Sequence, residues 1–281
     1  MYYINMHVHS LASDGTQSPE EIVRVAYYCG MKAVVLTEHD VIDSIDRVRA
    51  EASIYKLETM TGVELGGRLN DGTSYDILAY DFNPSHEGLL RHIERVTAAR
   101  NEHTKRVFDS AVKQGKLQYD WDSVLRNNPC SKWFCNNQVF DAMMADGIYG
   151  VHDYDAFHDC YMSGNKEAGE MTYRPSAEDI LRLIAEAGGI SVLAHPKGHS
   201  RHSVFNERHI LELIEMGLMG IECVYPTHSN EDIAYLTGLA QRHKLYVTGG
   251  TDLHGLYDNY YVPFHSYGAT KEQYEAIKNR R

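Results

Sequence analysis

Pairs of histidine and acidic residues follow strand-like segments of this chain. His7 and His9 come directly after the apolar segment 2–6, and their spacing of two places both side chains on one face of an extended chain. Asp252 and His254 repeat that spacing after a later apolar segment. Because imidazole and carboxylate groups are common ligands of transition metals, both pairs are candidate metal ligands.

Further ligand-type residues end or follow other predicted strands: Asp14, His39, Glu64 and His195. Each of them alone has an ordinary explanation, as a solvated loop charge or a histidine of the core. In parallel α/β folds, however, the carboxyl ends of the strands meet at one mouth, where sites are built. The set as a whole therefore predicts a multinuclear metal site.

Short apolar segments alternate with amphipathic helical patterns along most of the chain. Strands are predicted at 2–6, 33–36, 59–63, 75–80, 190–194, 220–224 and 245–248, and helices at 19–29, 44–55, 178–187, 206–216 and 231–243. This alternation indicates parallel strands covered by helices, in a barrel or an open doubly wound sheet. Ser18, Pro19 and Glu21 provide a helix start, with a capping residue, a first-turn proline and a capping-box glutamate.

The strand pattern fades between residues 85 and 174. That stretch contains a long helical pattern at 87–114, followed by short polar and aromatic segments. We interpret it as a helical insertion that divides the α/β unit into 1–84 and 175–281. We expect this insertion to cover the site and to select the substrate.

The composition is that of an ordinary globular protein, with 43% hydrophobic and 23% charged residues among 281. No apolar segment approaches the roughly 20 residues of a membrane span, and no secretory signal is visible, so we expect a cytoplasmic protein without membrane association. A net charge of −12 argues against a nucleic-acid polymer as partner, because such proteins usually present a basic face. Five cysteines without a C-x-x-C pair indicate free thiols.

Short motifs at the strand ends follow one another in a fixed order outside the insertion. They are His7-Val8-His9-Ser10, Asp14-Gly15, Thr37-Glu38-His39-Asp40, Gly62-Val63-Glu64, Ala194-His195-Pro196 and Thr251-Asp252-Leu253-His254-Gly255. In this order they resemble the motifs of the PHP (polymerase and histidinol phosphatase) superfamily, and most closely its stand-alone metal-dependent phosphoesterases. The resemblance implies a distorted (β/α)7 barrel whose site holds two or three divalent metal ions.

The resemblance also implies which residues bind each ion. One ion would take His7, His9, Glu64 and Asp252; a second would share Glu64 and take His195; a third would take Asp14, His39 and His254. Mixed carboxylate and imidazole ligands suit Mn²⁺, Fe²⁺ or Zn²⁺ without choosing among them. No organic cofactor is expected.

Two departures from the family pattern concern the second ion and the substrate. Relatives often carry a histidine where this chain has Asp76, so Asp76 is a candidate ligand of the second ion, with a structural role as the alternative. Relatives also carry Gly-Arg-Pro-His in the insertion, where this chain has Cys135-Asn136-Asn137-Gln138. The arginine that helps to hold phosphate in those relatives is therefore replaced here, at Asn136.

Other side chains are candidates for holding the substrate in place of that arginine. They are Arg174, Lys197, Tyr225 and His228, each with a solvated loop side chain as the alternative. His195 and His228 are also candidate catalytic proton donors to the leaving group. A histidine that binds a metal cannot donate from the nitrogen that binds it, which restricts this role for His195.

Together these inferences predict a metal-dependent phosphoesterase that hydrolyses a small phosphorylated metabolite, nucleotide-like or sugar-like, as a monoester or a cyclic diester. A hydroxide that bridges two metal ions would attack the phosphorus. Two alternatives stay open. The same metal site could hydrolyse an anionic amide or ester, as in the amidohydrolases, or the chain could be a PHP module with a structural role only.

Overall fold

The fold consists of two β-sheets flanked by helices. The computed structural model describes residues 2–129, 131–198, 205–256 and 262–280. The strands are β1 (Ile4–Asn5), β2 (Ala33–Val34), β3 (Gly62–Arg68), β4 (Ser74–Tyr80), β5 (Ile190–Leu193), β6 (Gly220–Val224) and β7 (Tyr246–Gly249). The helices are α1 (Pro19–Tyr28), α2 (Ile45–Tyr55), α3 (Glu87–Lys113), α4 (Trp121–Asn127), α5 (Asn136–Ala145), α6 (Tyr154–Met162), α7 (Asn165–Ala168), α8 (Ala177–Glu186), α9 (Glu207–Glu215), α10 (Asn230–Arg242) and α11 (Lys271–Lys278). Within these residues, no helix is both long and apolar enough to cross a membrane.

The larger sheet has the strand order β3-β4-β5-β6-β7, and β1 pairs with β2 in a separate parallel sheet. Strands β5, β6 and β7 are parallel, as the alternating pattern predicts. Strand β4 is antiparallel to both β3 and β5, so the prediction of an all-parallel arrangement is wrong at this strand. The physical reason is that residues 69–73 join β3 to β4 directly, and a connection this short can form a hairpin but not a parallel crossover.

Backbone contacts connect the two sheets at both edges of the smaller one. Beyond β1, Met6 N donates to Gly249 O at 3.2 Å, and beyond β2, Asp40 N donates to Glu64 O at 2.9 Å. These contacts are isolated bridges and single hydrogen bonds rather than continuous ladders. The described residues form a mixed α/β fold without a closed sheet, and the seven-stranded barrel stays a prediction.

The larger sheet is buried on both faces at β4. Along β4, Ile77 and Ala79 belong to one hydrophobic cluster, whereas Leu78 and Tyr80 belong to another. Successive side chains of a strand point to opposite faces, so this alternation means that helices or strands cover each side of the sheet. A strand covered in this way has its side chains held by packing, which keeps the residues at its end in place.

Helices α3 to α7 lie in the chain between β4 and α8 and build a hydrophobic cluster of their own. Val107 and Phe108 of α3 pack in this cluster with Phe140 of α5 and Phe157 of α6. The first half of α3 packs instead against the main core through residues such as Leu89. One long helix therefore connects the insertion cluster to the α/β core.

The contact between β1 and β7 leaves no space for a side chain at Gly250. A Cβ atom at this position would lie 2.3 Å from His7 Cβ and 2.5 Å from His7 N. We expect Gly250→Ala to lower the free energy of unfolding by about 1–3 kcal/mol, because the clash involves backbone that cannot yield without moving a strand.

Gly238→Ala is the matched control for Gly250→Ala. Gly238 lies inside α10, where an added Cβ would meet only Arg242 Nη1, at 3.6 Å. We expect this variant to be more stable than the wild type by about 0.5–1 kcal/mol, because alanine is a better helix former than glycine. Urea denaturation of both variants measures the effect, and a Gly250→Ala midpoint equal to that of the wild type would contradict the close β1–β7 packing.

Candidate metal centre

The fold brings nine ligand-type residues from distant parts of the chain into one cluster. Three groups each have ligand atoms within 4.8 Å of one another: His7, His9, Glu64 and Asp252; His9, Asp14, His39 and His254; and Glu64, Asp76 and His195. His9 joins the first group to the second, and Glu64 joins the first to the third. These nine residues are the ones that the sequence singled out as candidate metal ligands.

The first group has the shortest distances. His7 Nε2 lies 3.1 Å from each of His9 Nε2, Glu64 Oε2 and Asp252 Oδ1. His9 Nε2 lies 3.1 Å from Glu64 Oε2 and 3.0 Å from Asp252 Oδ1. The centre of a regular tetrahedron with edges of this length is about 1.9 Å from each corner, close to the bond length of about 2 Å between zinc and imidazole or carboxylate.

Several atoms of these residues have no hydrogen-bond partner inside the protein. Among the described residues, no group forms a hydrogen bond with the buried atoms His9 Nδ1, Glu64 Oε1 or Asp252 Oδ1. Leaving a buried polar atom unpaired costs about 1–3 kcal/mol, and more when the group is charged. The donor types, their spacing and these unpaired atoms therefore fit divalent cations.

The second group surrounds Asp14. His254 Nε2 lies 3.4 Å from Asp14 Oδ1, and His39 Nε2 lies 3.7 Å from Asp14 Oδ2. The ring of His9 stacks on that of His254, with centroids 4.2 Å apart and planes inclined by 10°. His254 Nδ1 donates to the backbone oxygen of Asp252 at 2.8 Å, so Nε2 is the ring nitrogen that faces Asp14.

The third group lies on the other side of Glu64. His195 Nε2 is 3.4 Å from Glu64 Oε1, whereas Oε2 of the same carboxylate faces His7 and His9. Asp76 completes this group from β4. The two oxygens of Glu64 therefore face two adjacent candidate metal positions.

Glu222 positions two of the candidate ligands and was not identified from the sequence. Its fully buried carboxylate accepts from His7 Nδ1 at 3.1 Å and from the backbone N–H of His195 at 2.9 Å. Because Nδ1 of His7 donates to Glu222, its Nε2 is the nitrogen that faces the cluster, and its lone pair becomes available to a metal ion when Nε2 loses its proton. The sequence signal was an acidic residue inside the otherwise apolar strand β6.

Carboxylates and imidazoles in the cluster stabilise one another's charged forms. Burial alone would lower the pKa of His7 and His195, but the facing carboxylates raise that of His7 well above its usual value and that of His195 to about 9. Burial likewise opposes ionisation of Glu64 and Asp252, yet the facing histidines hold the pKa of both carboxyls below the usual range. The raised pKa values of the histidines and the lowered pKa values of the carboxyls have the same cause, which is the close approach of opposite charges.

Two of the substrate-binding candidates are already engaged within the protein. Lys197 Nζ pairs with Asp232 at 2.5 Å, on the side of α10. His228 is buried, its Nδ1 donates to Cys223 O at 2.9 Å, and its Nε2 accepts from Lys197 N at 3.3 Å. With both ring nitrogens bonded to backbone, the prediction that His228 donates a proton to the leaving group gains no support from this arrangement.

Tyr225 contacts a candidate ligand directly, whereas Arg174 lines a neighbouring cavity. The Tyr225 hydroxyl donates to Asp252 Oδ2 at 3.0 Å, so this residue positions a candidate ligand. Arg174 lines a cavity that it shares with Asp76. Arg174 is therefore a substrate-binding candidate that lines a cavity next to the third group.

Asn137 and Gln138 contact the loop that carries Asp14. Asn137 Nδ2 donates to Asp14 O at 3.2 Å, and Gln138 Nε2 donates to Ser13 O. Trp133, just before this segment, stacks on the ring of His39, with centroids 5.7 Å apart. The insertion thus packs directly against the second group.

We expect Glu222→Gln to weaken metal binding by about 10- to 100-fold, because an amide cannot hold both His7 and the His195 backbone as the carboxylate does. Glu215→Gln, an exposed glutamate at the end of α9, is the matched control and should leave the affinity unchanged. Competition of EDTA-treated protein with a fluorescent chelator for Zn²⁺ or Mn²⁺ measures the affinity. Equal affinities of the two variants would exclude the positioning role of Glu222.

The raised pKa values of His7 and His195 make the stability of the metal-free protein depend on pH. Protons bound more tightly in the folded state stabilise it fully below the ordinary histidine pKa of 6.5, and this contribution is lost as the pH rises towards about 9. We therefore expect the Tm of EDTA-treated protein to fall between pH 6.5 and 9, and that of Mn²⁺-loaded protein to fall less. Parallel curves for the two forms, measured by circular dichroism, would contradict this coupling.

Relatives of known or assigned activity match most of the chain. It is 25% identical over 252 residues to the phosphoribosyl 1,2-cyclic phosphate 1,2-diphosphodiesterase of Eggerthella lenta, which covers 89% of this chain and 94% of that protein. It is 26% identical over 256 residues to the 3',5'-nucleoside bisphosphate phosphatase of Chromobacterium violaceum, covering 90% and 88%. The 5'-3' exoribonuclease of Haemophilus influenzae is 25% identical over 254 residues, covering 89% of each chain.

Two solved structures are also similar to this chain over most of its length. A candidate metal-dependent phosphoesterase of Bifidobacterium adolescentis superposes with a TM-score of 0.85 and 26% identity, covering 98% of this chain and 94% of that one. An amidohydrolase of Chromobacterium violaceum, solved with bound sulfate and no metal, superposes with a TM-score of 0.76 and 25% identity, covering 90% and 87%. The family model described as the PHP domain matches residues 5–199, more than half of the chain, and the chain therefore belongs to the PHP domain family.

Proposed function

We propose that this chain is a metal-dependent phosphoesterase that hydrolyses a small phosphorylated metabolite, nucleotide-like or sugar-like. The observation that carries the proposal is the sharing of Glu64 and His9 among three adjoining groups of ligand atoms. The relatives named as hydrolases of phosphate esters support it. A monoester and a cyclic diester both fit this class of substrate.

We assign the nine residues to two or three divalent ions of Mn²⁺, Fe²⁺ or Zn²⁺. His7, His9, Glu64 and Asp252 would hold the first, Glu64, Asp76 and His195 the second, and Asp14, His39 and His254 the third. When bound, such ions supply Lewis acidity, which neutralises phosphate charge and makes water acidic enough to ionise near neutral pH. In this assignment His195 acts through ligation.

The protein's own contribution is to present these lone pairs in fixed directions. Glu222 and the backbone oxygen of Asp252 accept the Nδ1 protons of His7 and His254, so Nε2 is the ring nitrogen that faces the cluster in both residues. Tyr225 holds Asp252 through one oxygen, and the other faces His7 and His9. Ligands fixed in this way lose little conformational entropy when a cation binds.

We further propose that residues 85–174 act as a unit that covers the site and selects the organic part of the substrate. The contacts of Asn137 and Gln138 with the loop of Asp14 place the start of α5 next to the second group. Trp133, buried against His39, excludes water from that side. Boundaries at 84/85 and 174/175 coincide with the connections before α3 and before α8.

The end of an RNA chain is a second candidate substrate. The names of the exoribonuclease relatives favour it, and they weaken the inference against nucleic acids drawn from the net charge of −12. An exonuclease needs to hold only a few nucleotides at its site, so an acidic overall surface is compatible with it. A short 5'-phosphorylated oligoribonucleotide therefore belongs in the test.

We expect Mn²⁺-loaded protein to release phosphate or a phosphomonoester from at least one member of a panel of monoesters, cyclic diesters, bisphosphates and the oligoribonucleotide. His195→Ala should lower kcat/KM by about 100-fold or more, because it removes a ligand of the second ion. His243→Ala, at the exposed C-terminal end of α10, is the matched control.

Metal analysis of the same samples distinguishes a phosphoesterase from a hydrolase of acyl substrates and from a structural module. About two to three equivalents of metal together with turnover of a phosphate ester support the proposal. Metal without turnover would favour an acyl substrate on the same centre. Less than about half an equivalent after reconstitution would exclude a multinuclear site and leave a structural module.

A further inference from the structure

The ring of His39 is held differently from the rings of two other candidate ligands. Nδ1 of His7 donates to Glu222, and Nδ1 of His254 donates to a backbone oxygen. Within the described part of the chain, no hydrogen bond holds the ring of His39, and carboxylate oxygens lie 3.5 Å from its Nδ1 and 3.7 Å from its Nε2. The direction of the His39 nitrogens therefore depends on packing.

Two aromatic rings stack on the ring of His39. The ring of His9 has its centroid 4.5 Å away and its plane inclined by 23°. The indole of Trp133 has its centroid 5.7 Å away and its plane inclined by 13°. Near-parallel rings at these distances attract one another when they are offset. These two contacts therefore restrict the rotation of the His39 ring.

The backbone on both sides of Trp133 is bound to helix α3. Asn101 Nδ2 donates to Lys132 O at 2.8 Å, and Asn101 Oδ1 accepts from Phe134 N at 2.8 Å. One turn further along the helix, Thr104 Oγ1 donates to Phe134 O at 2.8 Å. The side chain of Trp133 is itself only 3% exposed. The indole is thus fixed relative to α3, the helix that connects the insertion to the main core.

The second group of ligands is more open than the first. Around Asp14 its ligand atoms are 3.4 and 3.7 Å apart, compared with 3.0–3.1 Å in the first group. The side chain of His39 is 26% exposed, whereas those of His7, His9 and Glu64 are fully buried. A partly exposed ring without a hydrogen bond loses more conformational entropy on binding a cation than a fixed ring does. The contacts that hold this ring therefore affect how tightly the cation binds.

We propose that Trp133 is a positioning residue for His39, so that the insertion sets the affinity for the third metal ion. The inference rests on the proposed function, because it uses the same assignment of residues to that ion. Asn137 and Gln138 act in the same direction, since they hold the backbone of the loop that carries Asp14. The segment that covers the site would in this way also complete its third metal position.

The experiment measures the steps of metal binding separately. EDTA-treated protein is titrated with Mn²⁺, and the electron paramagnetic resonance signal of free Mn²⁺ gives the number of bound ions and the dissociation constant of each class of site. His39→Ala identifies the step that belongs to the third ion, because it removes one ligand of that ion. The other steps in the same titration show whether a variant keeps the rest of the cluster intact.

We expect Trp133→Leu to weaken the third-ion step by about 3- to 10-fold, the range of one aromatic stacking contact, and to leave the other steps unchanged. Trp133→Phe keeps a ring that can stack and should restore most of this affinity. Asn101→Ala releases the backbone on both sides of Trp133 and should weaken the same step. Trp121→Phe is the matched control, because the second tryptophan packs on Phe108 and Phe134 in the insertion cluster, and it should leave every step unchanged.

The coupling must also act in the opposite direction. If the insertion strengthens binding of the third ion, that ion stabilises the seated insertion by the same free energy. We therefore expect hydrogen exchange at the Phe134 amide, which donates to Asn101, to slow when the third equivalent of Mn²⁺ is added to the wild-type protein. Mass spectrometry of the peptide that contains Phe134 measures this, and an unchanged rate between two and three equivalents would contradict the inference.

Two results of the titrations would also overturn the inference. One is an unchanged third-ion step in Trp133→Leu. The other is an equal loss at every step, which would mean that Trp133 stabilises the fold as a whole. If Trp133→Leu does not fold, Asn101→Ala decides by the same two criteria.

Failure of the proposed function gives a different result. Three bound ions, with a third step that depends on Trp133 but without turnover of any phosphate ester, would contradict the proposed function and support this inference. Turnover of a phosphate ester with two bound ions, and with no binding step lost in His39→Ala, would support the proposed function and overturn this inference.

Discussion

Four ligand-type side chains approach one another closely in this protein: His7, His9, Glu64 and Asp252. Their ligand atoms lie 3.0–3.1 Å apart in a buried region, where the two carboxylates cannot stay charged without positive partners. In the metal-free protein the imidazoles provide that charge by keeping protons, which is why their pKa values rise. A divalent cation can replace those protons and satisfy the same atoms.

The backbone around the cluster is strained, and the strain is maintained by specific hydrogen bonds. Asp40, His195 and Asp252 have φ angles of 51°, 25° and 52°. These angles lie in the left-handed region, which residues other than glycine rarely adopt. Such conformations cost about 1–3 kcal/mol each. Each backbone N–H is held by an acceptor in or beside the cluster: Glu64 O at 2.9 Å, Glu222 Oε2 at 2.9 Å and His7 O at 2.8 Å, respectively. These three residues therefore reduce local stability, and in return their side chains are held in place at or beside the site.

The insertion and the main α/β unit contribute different things to the site. Residues outside 85–174 supply all nine candidate ligands, whereas α3 contributes Arg100 to the cavity beside Asp76, and Trp133 packs against His39. Because α3 also packs against the main core through Leu89, the position of Arg100 is tied to both parts.

Elements that depend only on contacts between chain neighbours, and the residue types at their ends, could be predicted from the sequence. Ser18 and Glu21 formed the expected capping box, because capping acts within one helical turn. The i, i+2 pairs His7/His9 and Asp252/His254 were identifiable because a strand end directs both side chains to one face. Their order along the chain was enough to indicate the family.

Which side chains meet depends on tertiary packing. Glu222 was hidden in an apolar strand, and its role depends on His7, which is 215 residues away in the sequence. Lys197 was expected near the substrate. In the structure its Nζ pairs instead with Asp232 of α10, at 2.5 Å. Strand β4 reverses direction because of a short connection, and Arg68 and Arg100 meet Arg174 across three elements. Spacing along the chain carries no information on such long-range contacts, since they depend on how sheets and helices pack.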